Sequence, residues 1–223
     1  MSTIDTSTFD FLKELRTHNN REWFTENKEK YQAAHQNMIG FMESLIEEMS
    51  KVDQIEDTSA KRSLFRIYRD VRFSKGKEPY KTHFAGRLAR ATQWLRGGYY
   101  IHIEPGNSFL AGGFFSPNPA DLKLIRDELA HDAKPLKEIL ADEDFKNTWG
   151  TFKGEAVKSA PRGFEKDHPN IDLIRFKQFH VAHSIPDDIV LSEQLMFEIV
   201  KSFIVIRPFF DYMSEILTRN LEK

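Results

Sequence analysis

The chain has 223 residues, of which 40% are apolar and 30% charged, with a formal net charge of −2 and no cysteine. That length and apolar content can bury a real core, while the lack of cysteine excludes disulfides, thiolate metal sites and cysteine nucleophiles and suits a reducing compartment. The longest apolar runs, such as Phe203–Ile206, fall far short of the roughly 20 residues that cross a bilayer. MSTIDTSTFDFLKEL lacks the basic start and apolar run of a secretory signal, so a cytoplasmic protein with no membrane partner is expected.

Ser7–Asp10 has the spacing of a capping box, and Phe9, Leu12 and Leu15 recur at helical intervals before Asn19 and Asn20 break the pattern. A second, longer helix is expected from about Arg21 to Lys51, carrying the stripe Met38, Phe41, Met42, Leu45 and Met49; such a stripe reads as core packing. Residues 52–63 are polar and aperiodic and read as a loop. Between 64 and 115, β-branched and aromatic residues alternate with polar ones, the pattern of strands. Pro105-Gly106-Asn107 is a turn signal and predicts a hairpin of strands 98–104 and 108–114. Asn118-Pro119 predicts a helix to about His131, with Leu122, Ile125 and Leu129 on one face. A short helix follows from Pro135 to Leu140, then a long irregular connection over 142–170 and a strand at 174–183. Helical structure closes the chain from Ser192 to Asn220, bent or divided by Pro208. Helices first, antiparallel strands in the middle and helices last is an α+β order. A single domain over residues 1–223 is expected, with N-terminal helices, a central mainly antiparallel sheet and C-terminal helices.

Charge is unevenly spread. Residues 61–90 hold ten Lys or Arg against two acids, a balance of +8, and the rest of the chain holds 22 against 32, a balance of −10. If 65–73 is a strand, Phe65, Ile67, Val71 and Phe73 share a core-like face, and Arg66, Tyr68, Asp70 and Arg72 share the other. Arg69 then falls on the apolar face, so either a bulge turns it out or it is buried with a carboxylate. Asp70 lies within reach of Arg72, whereas Arg66 must find its counter-charge on another element or a ligand. SKGKEPYK has the Gly and Pro of an ordered turn ringed by Lys75, Lys77 and Lys81, with Tyr80 able to stack or donate. It lacks the spacing of a Walker loop.

The run Arg66, Arg69, Asp70, Arg72, Phe73, Lys77, Pro79, Tyr80 and Lys81 fits the spacing RxxRDxRFxxxKxPYK. It resembles the signature of a bacterial and fungal family, the domain of unknown function 2461. The resemblance extends to YYIHIEPG at 99–106 and PRGFEKDHP at 161–169. It implies that these positions form the family's characteristic site, and it carries no catalytic roles.

On the hairpin, alternation puts Tyr99, Ile101 and Ile103 on one face and Tyr100, His102 and Glu104 on the other. The latter face is either an acid–base set, with Glu104 holding the His102 imidazole, or a solvent-facing polar strip. His168, His180 and His183, with Asp167 and Asp172, lack the spacing of a zinc site, and on a strand His180 and His183 point to opposite faces; no metal is expected. Arg162-Gly163-Phe164 with Lys158 and Lys166 adds a basic patch, and the lack of GxSxG or SxxK argues against a serine hydrolase.

The leading reading is a site for a small anionic ligand bearing phosphate or carboxylate, which an enzyme could use. Arg66, Arg69, Arg72, Lys77, Tyr80 and Lys81 are its candidate binding residues, and Asp70, His102 and Glu104 its candidate proton-transfer groups. A nucleic-acid surface is the alternative, with Tyr68, Phe73 or Tyr80 stacking on bases, although an isoelectric point near 6.5 weighs against it. A second alternative is a structural or interaction role in which the basic segment forms internal or intersubunit ion pairs. The residues name no cofactor and no oligomeric state.

Overall fold

The computed structural model describes residues 2–70 and 78–221. Among these, four strands form one antiparallel sheet in the order β1-β2-β3-β4: β1 (Phe84–Ala89), β2 (Gly98–Ile103), β3 (Phe109–Phe114) and β4 (Phe179–Ser184). Helices precede and follow the sheet in the chain, so the α+β class read from the sequence is what the structure has. By compactness the chain divides into two units, Met1–Leu88 with Tyr100–Leu110 and Ser184–Lys201, and Ala89–Tyr99 with Ala111–His183 and Ser202–Lys223.

In the first unit, α1 (Thr6–Thr17) buries Phe9, Phe11, Leu12 and Leu15 and packs on α3 (Lys28–Ser50), which buries Met38, Phe41, Met42, Leu45 and Met49. The stripe expected to be core is core. Two local expectations change. The capping box at Ser7–Asp10 does not form, because the helix starts two residues earlier, from Asp5, whose side chain makes no cap bond; Thr8 instead donates to the Asn37 side chain at 2.9 Å. The long second helix is also broken. α2 (Arg21–Glu26) stops at Asn27, whose side-chain amide donates back to the Trp23 carbonyl at 2.9 Å, and α3 starts afresh. Asn20 caps α2 by accepting from the Trp23 N–H at 2.9 Å. The loop expected at 52–63 closes with a short turn of helix, α4 (Ala60–Ser63).

Among the described residues, the segment of the strand expected over 65–73 pairs through two antiparallel bridges, Leu64 with Gly86 and Tyr68 with Tyr80. Hydrogen bonds from Phe65 N to Ala85 O, Lys81 N to Ile67 O and Arg69 N to Pro79 O hold the two segments side by side. Three residues (65–67) separate the bridges on one side and five (81–85) on the other. The two extra residues make a bulge, which bends a strand and re-aims its side chains. The expected alternation fails for this reason. Ile67 is buried, but Phe65, placed on the core face by simple alternation, is 42% exposed. Val71, Arg72, Phe73, Lys75 and Lys77 lie outside the described residues.

The predicted hairpin forms, with Gly106 at φ +78° in its turn and the Asp187 carboxylate accepting from the Gly106 N–H at 2.9 Å. Tyr99, Ile101 and Ile103 point into the core as alternation requires.

In the second unit, α5 (Pro119–His131) starts where Asn118-Pro119 places it, with the Asn118 side chain accepting from Asp121 N. α6 (Lys134–Ala141) follows. The connection expected to be irregular over 142–170 contains α7 (Glu143–Trp149), capped by Asp142 and ended by Gly150 at φ +67°. The strand expected at 174–183 is shared between a short helix, α8 (Ile171–Ile174), and β4. α9 (Asp187–Val190) and most of α10 (Gln194–Val205) belong to the first unit, and the closing helical stretch ends in the second with α11 (Arg207–Thr218), which has Pro208 in its first turn, where its missing N–H costs nothing. The core here is aromatic: Tyr99 lies 4.6 Å from Phe203 and 5.2 Å from Phe210 between ring centroids.

Gly113 at φ +137° has no room for a side chain, since a Cβ there would sit 2.3 Å from the Phe179 carbonyl oxygen. Gly113→Ala combines backbone strain with a clash against β4, and a loss of about 2–5 kcal/mol is expected in urea unfolding. A loss below about 0.5 kcal/mol would contradict this account of the β3–β4 approach.

Candidate functional site

Three chain segments of the first unit meet around Glu104, one residue past the end of β2. Its carboxylate accepts from the Thr82 hydroxyl at 2.9 Å and the Asn107 amide at 2.9 Å. His102 Nε2 lies 3.1 Å from Oε2, and Arg16 approaches at 3.5 Å while donating to the Pro105 carbonyl at 2.9 Å. Burial pushes the Glu104 carboxyl up, but the Asn107, His102 and Thr82 donors outweigh it and hold the pKa at about 2. Glu104 is therefore ionised at neutral pH.

An ionised Glu104 fixes the His102 tautomer. Nε2 must carry the proton that faces the carboxylate, leaving Nδ1 to accept from the Tyr100 hydroxyl at 3.2 Å. His102 is only 6% exposed, and burial lowers its pKa despite the opposing Glu104 charge. Tyr100, His102 and Glu104 form a hydrogen-bonded chain along one strand face, and His102 is buried rather than part of a solvent-facing strip.

Sequence reasoning missed His83. It lies in the bulge just before β1, and its ring centroid is 4.1 Å from that of His102. Among the described residues it makes no hydrogen bond. Burial, then His102, then Lys81 and Arg69 lower its pKa to about 4, against the pull of Glu104. His83, His102 and Glu104 each place one potential ligand atom within 4.8 Å of the others. The signal in the sequence was faint: a histidine two residues after the motif's last lysine, with nothing to say that a bulge would turn it toward the next strand.

The motif residues divide. Arg69, the ambiguous one, is turned out and lies 3.6 Å from Glu78, both side chains partly exposed, a pairing worth roughly 0–1 kcal/mol. Tyr80 is 6% exposed and stacks on Phe24 at 3.9 Å, and its backbone N–H and carbonyl both bond the Asn19 side chain. Arg66 is exposed, with no carboxylate partner among the described residues. Lys81 lies over the Phe65 ring at 5.6 Å, and its pKa is lowered by burial, then by Arg66, then by Arg69. Asp70 is exposed and is not among the groups bonded to His102 or Glu104. Arg72 and Lys77 lie outside the described residues.

The histidines at 168, 180 and 183 are not part of the converging group. His180 stacks on Phe115 at 4.5 Å, and among the described residues its Nδ1 is buried without a hydrogen-bond partner.

Helices flanking an antiparallel sheet, with a buried imidazole–carboxylate chain on one strand, define an α+β protein built around a polar sheet face. The chain belongs to the family described as Conserved hypothetical protein (DUF2461), whose model matches residues 7–212. No curated protein and no solved structure matches it.

Burial lowers the pKa of His180, whereas an unfolded imidazole titrates near about 6.5. The unfolded state therefore takes up this proton first. The sign follows: stability is complete above about pH 6.5 and declines as pH falls below it. His180→Phe is expected to flatten this decline when denaturant midpoints at pH 5 and 7.5 are compared. An unchanged pH dependence in the variant would contradict the assignment.

Proposed function

We propose that the protein binds a small anionic ligand, phosphate- or carboxylate-bearing, at the surface where Arg66, Arg69 and Lys81 meet beside the His83–His102–Glu104 cluster. The observation that carries this reading is the crowding of charge. Lys81 is disfavoured as a cation by burial, then by Arg66 and Arg69, and among the described residues Arg69 has Glu78 at 3.6 Å while Arg66 and Lys81 have no salt-bridge partner. Like charges about 4 Å apart repel by about 4 kcal/mol at an effective dielectric of 20, so an incoming anion relieves a cost the folded chain already bears. Arg72 and Lys77 belong to the same motif and extend the candidate binding set; Tyr80 supports it from beneath. His102, aligned by Glu104, is the group placed for proton transfer should the ligand be a substrate, and Asp70 remains the other candidate.

Phe65 and Tyr68, 42% and 50% exposed, flank the cations, so an anion carrying a flat ring gains stacking there. This feature also keeps the nucleic-acid alternative in view. Internal ion pairing accounts for part of the basic segment, since Arg90 is buried with Asp211 at 2.6 Å.

Thermal-shift titration with inorganic phosphate, pyrophosphate, nucleoside phosphates and tricarboxylates tests the reading. At least one should stabilise the wild type, by about 2.7 kcal/mol at a hundred times its Kd. The effect should vanish in Arg66→Ala and Lys81→Met and persist in Arg87→Ala. If no anion stabilises the protein, or if the shift survives both motif variants, the reading fails. Tight binding of a mixed oligonucleotide with a steep salt dependence, without response to small anions, would replace it with the nucleic-acid alternative.

A further inference from the structure

The geometry points to a divalent transition-metal site formed by His83, His102 and Glu104, with coordination positions left open toward the cationic surface. Two imidazoles and one carboxylate are the donor set that suits zinc, iron, manganese or cobalt in sites that do chemistry, where three protein ligands leave room for water or substrate.

Three observations support it. The first is distance. Ligand atoms about 2.1 Å from a metal stand about 3.0–3.5 Å from one another around it. His102 Nε2 and Glu104 Oε2 already have such a separation at 3.1 Å, and the third ligand atom, from His83, lies within 4.8 Å of both. Small side-chain rotations close the remainder. The second is His83 itself, a partly buried imidazole 4.1 Å from the His102 ring between centroids, whose nitrogens are engaged by no hydrogen bond among the described residues.

The third is the surrounding shell. Metal-bound histidines usually direct their other ring nitrogen to an oxygen that fixes the ring. His102 Nδ1 has the Tyr100 hydroxyl at 3.2 Å. When Nε2 gives up its proton to take the metal, Nδ1 carries one and donates it to Tyr100. Glu104 is oriented by Thr82 and Asn107 at 2.9 Å each.

Arg16, Arg69 and Lys81 raise the local positive potential and oppose a bare dication. An anion bridging the metal and the Arg66–Lys81 surface offsets this, so metal and anion should each tighten the other's binding. That coupling rests on the anion reading; the metal site does not.

The test uses the full chain, without a histidine tag, stripped with EDTA and titrated with Co²⁺ by visible absorption and with Zn²⁺ by calorimetry, in chloride buffer free of other anions. One equivalent should bind, with Co²⁺ giving d–d bands. His83→Gln, His102→Gln and Glu104→Gln should each weaken binding at least tenfold, whereas Tyr100→Phe should weaken it by about 10–100-fold while keeping the spectrum, and His18→Gln should leave it unchanged. Circular dichroism confirms that each variant folds. Absence of binding of Co²⁺, Zn²⁺, Mn²⁺ and Fe²⁺ by the wild type at about 100 times the protein concentration would overturn the proposal. So would affinity that survives all three ligand substitutions. Because no phosphate- or carboxylate-bearing anion is present, neither failure bears on the anion reading; a positive titration followed by no change in Zn²⁺ affinity on adding the stabilising anion would overturn the coupling alone.

Discussion

A single carboxylate organises this part of the molecule. Glu104 draws donors from the end of α1, from the bulge before β1, from its own strand and from the hairpin turn. Each donor alone is an ordinary hydrogen bond with a net value of about 1–3 kcal/mol when the acceptor is charged. Together they hold an ionised group in a partly buried place, and they make three separately encoded pieces of backbone agree on one position. The tautomer of His102 and, through it, the orientation of Tyr100 follow from that negative charge.

Around this anion the chain sets cations that it does not fully neutralise. Where the protein needs a buried cation for packing, it provides a partner, as with Arg90 and Asp211. At the motif surface it provides one weak pairing, Arg69 with Glu78, and leaves Arg66 and Lys81 without a carboxylate among the described residues. Structural ion-pair networks economise on such repulsion; sites for anions tolerate it. The contrast within one basic segment separates residues that serve the core from residues that face outward.

The parts of the fold legible in the sequence are those set by short-range chemistry. Pro105-Gly106-Asn107 gave the hairpin, Asn118-Pro119 the start of α5, and Pro208 the division of the last helices, because each signal acts within about four residues. The alternation of β2 was read correctly for the same reason, and with it His102 and Glu104. The break at Asn27 and the helix over Glu143–Trp149 were not seen, since both depend on side-chain caps embedded in otherwise ambiguous composition. Over the described residues 65–70 the expected strand gave way for a longer-range cause. A bulge is a property of the pairing between two segments, and neither segment alone reveals where the extra residues will sit. His83 was missed with it, and the exposure of Phe65 was misjudged by the same slip.

Asn19 has a further consequence. Tyr68 and Tyr80 form a bridge in which the outward N–H and carbonyl of Tyr80 have no strand to meet, and the Asn19 amide supplies both a donor and an acceptor there. One side chain thus imitates a neighbouring strand for the length of one residue. Unpaired edges recruit other chains, and this one lies beside exposed aromatic rings that would favour such recruitment. An amide just past the end of the first helix therefore closes this edge from within the chain, which disfavours β-pairing with another copy at Tyr80.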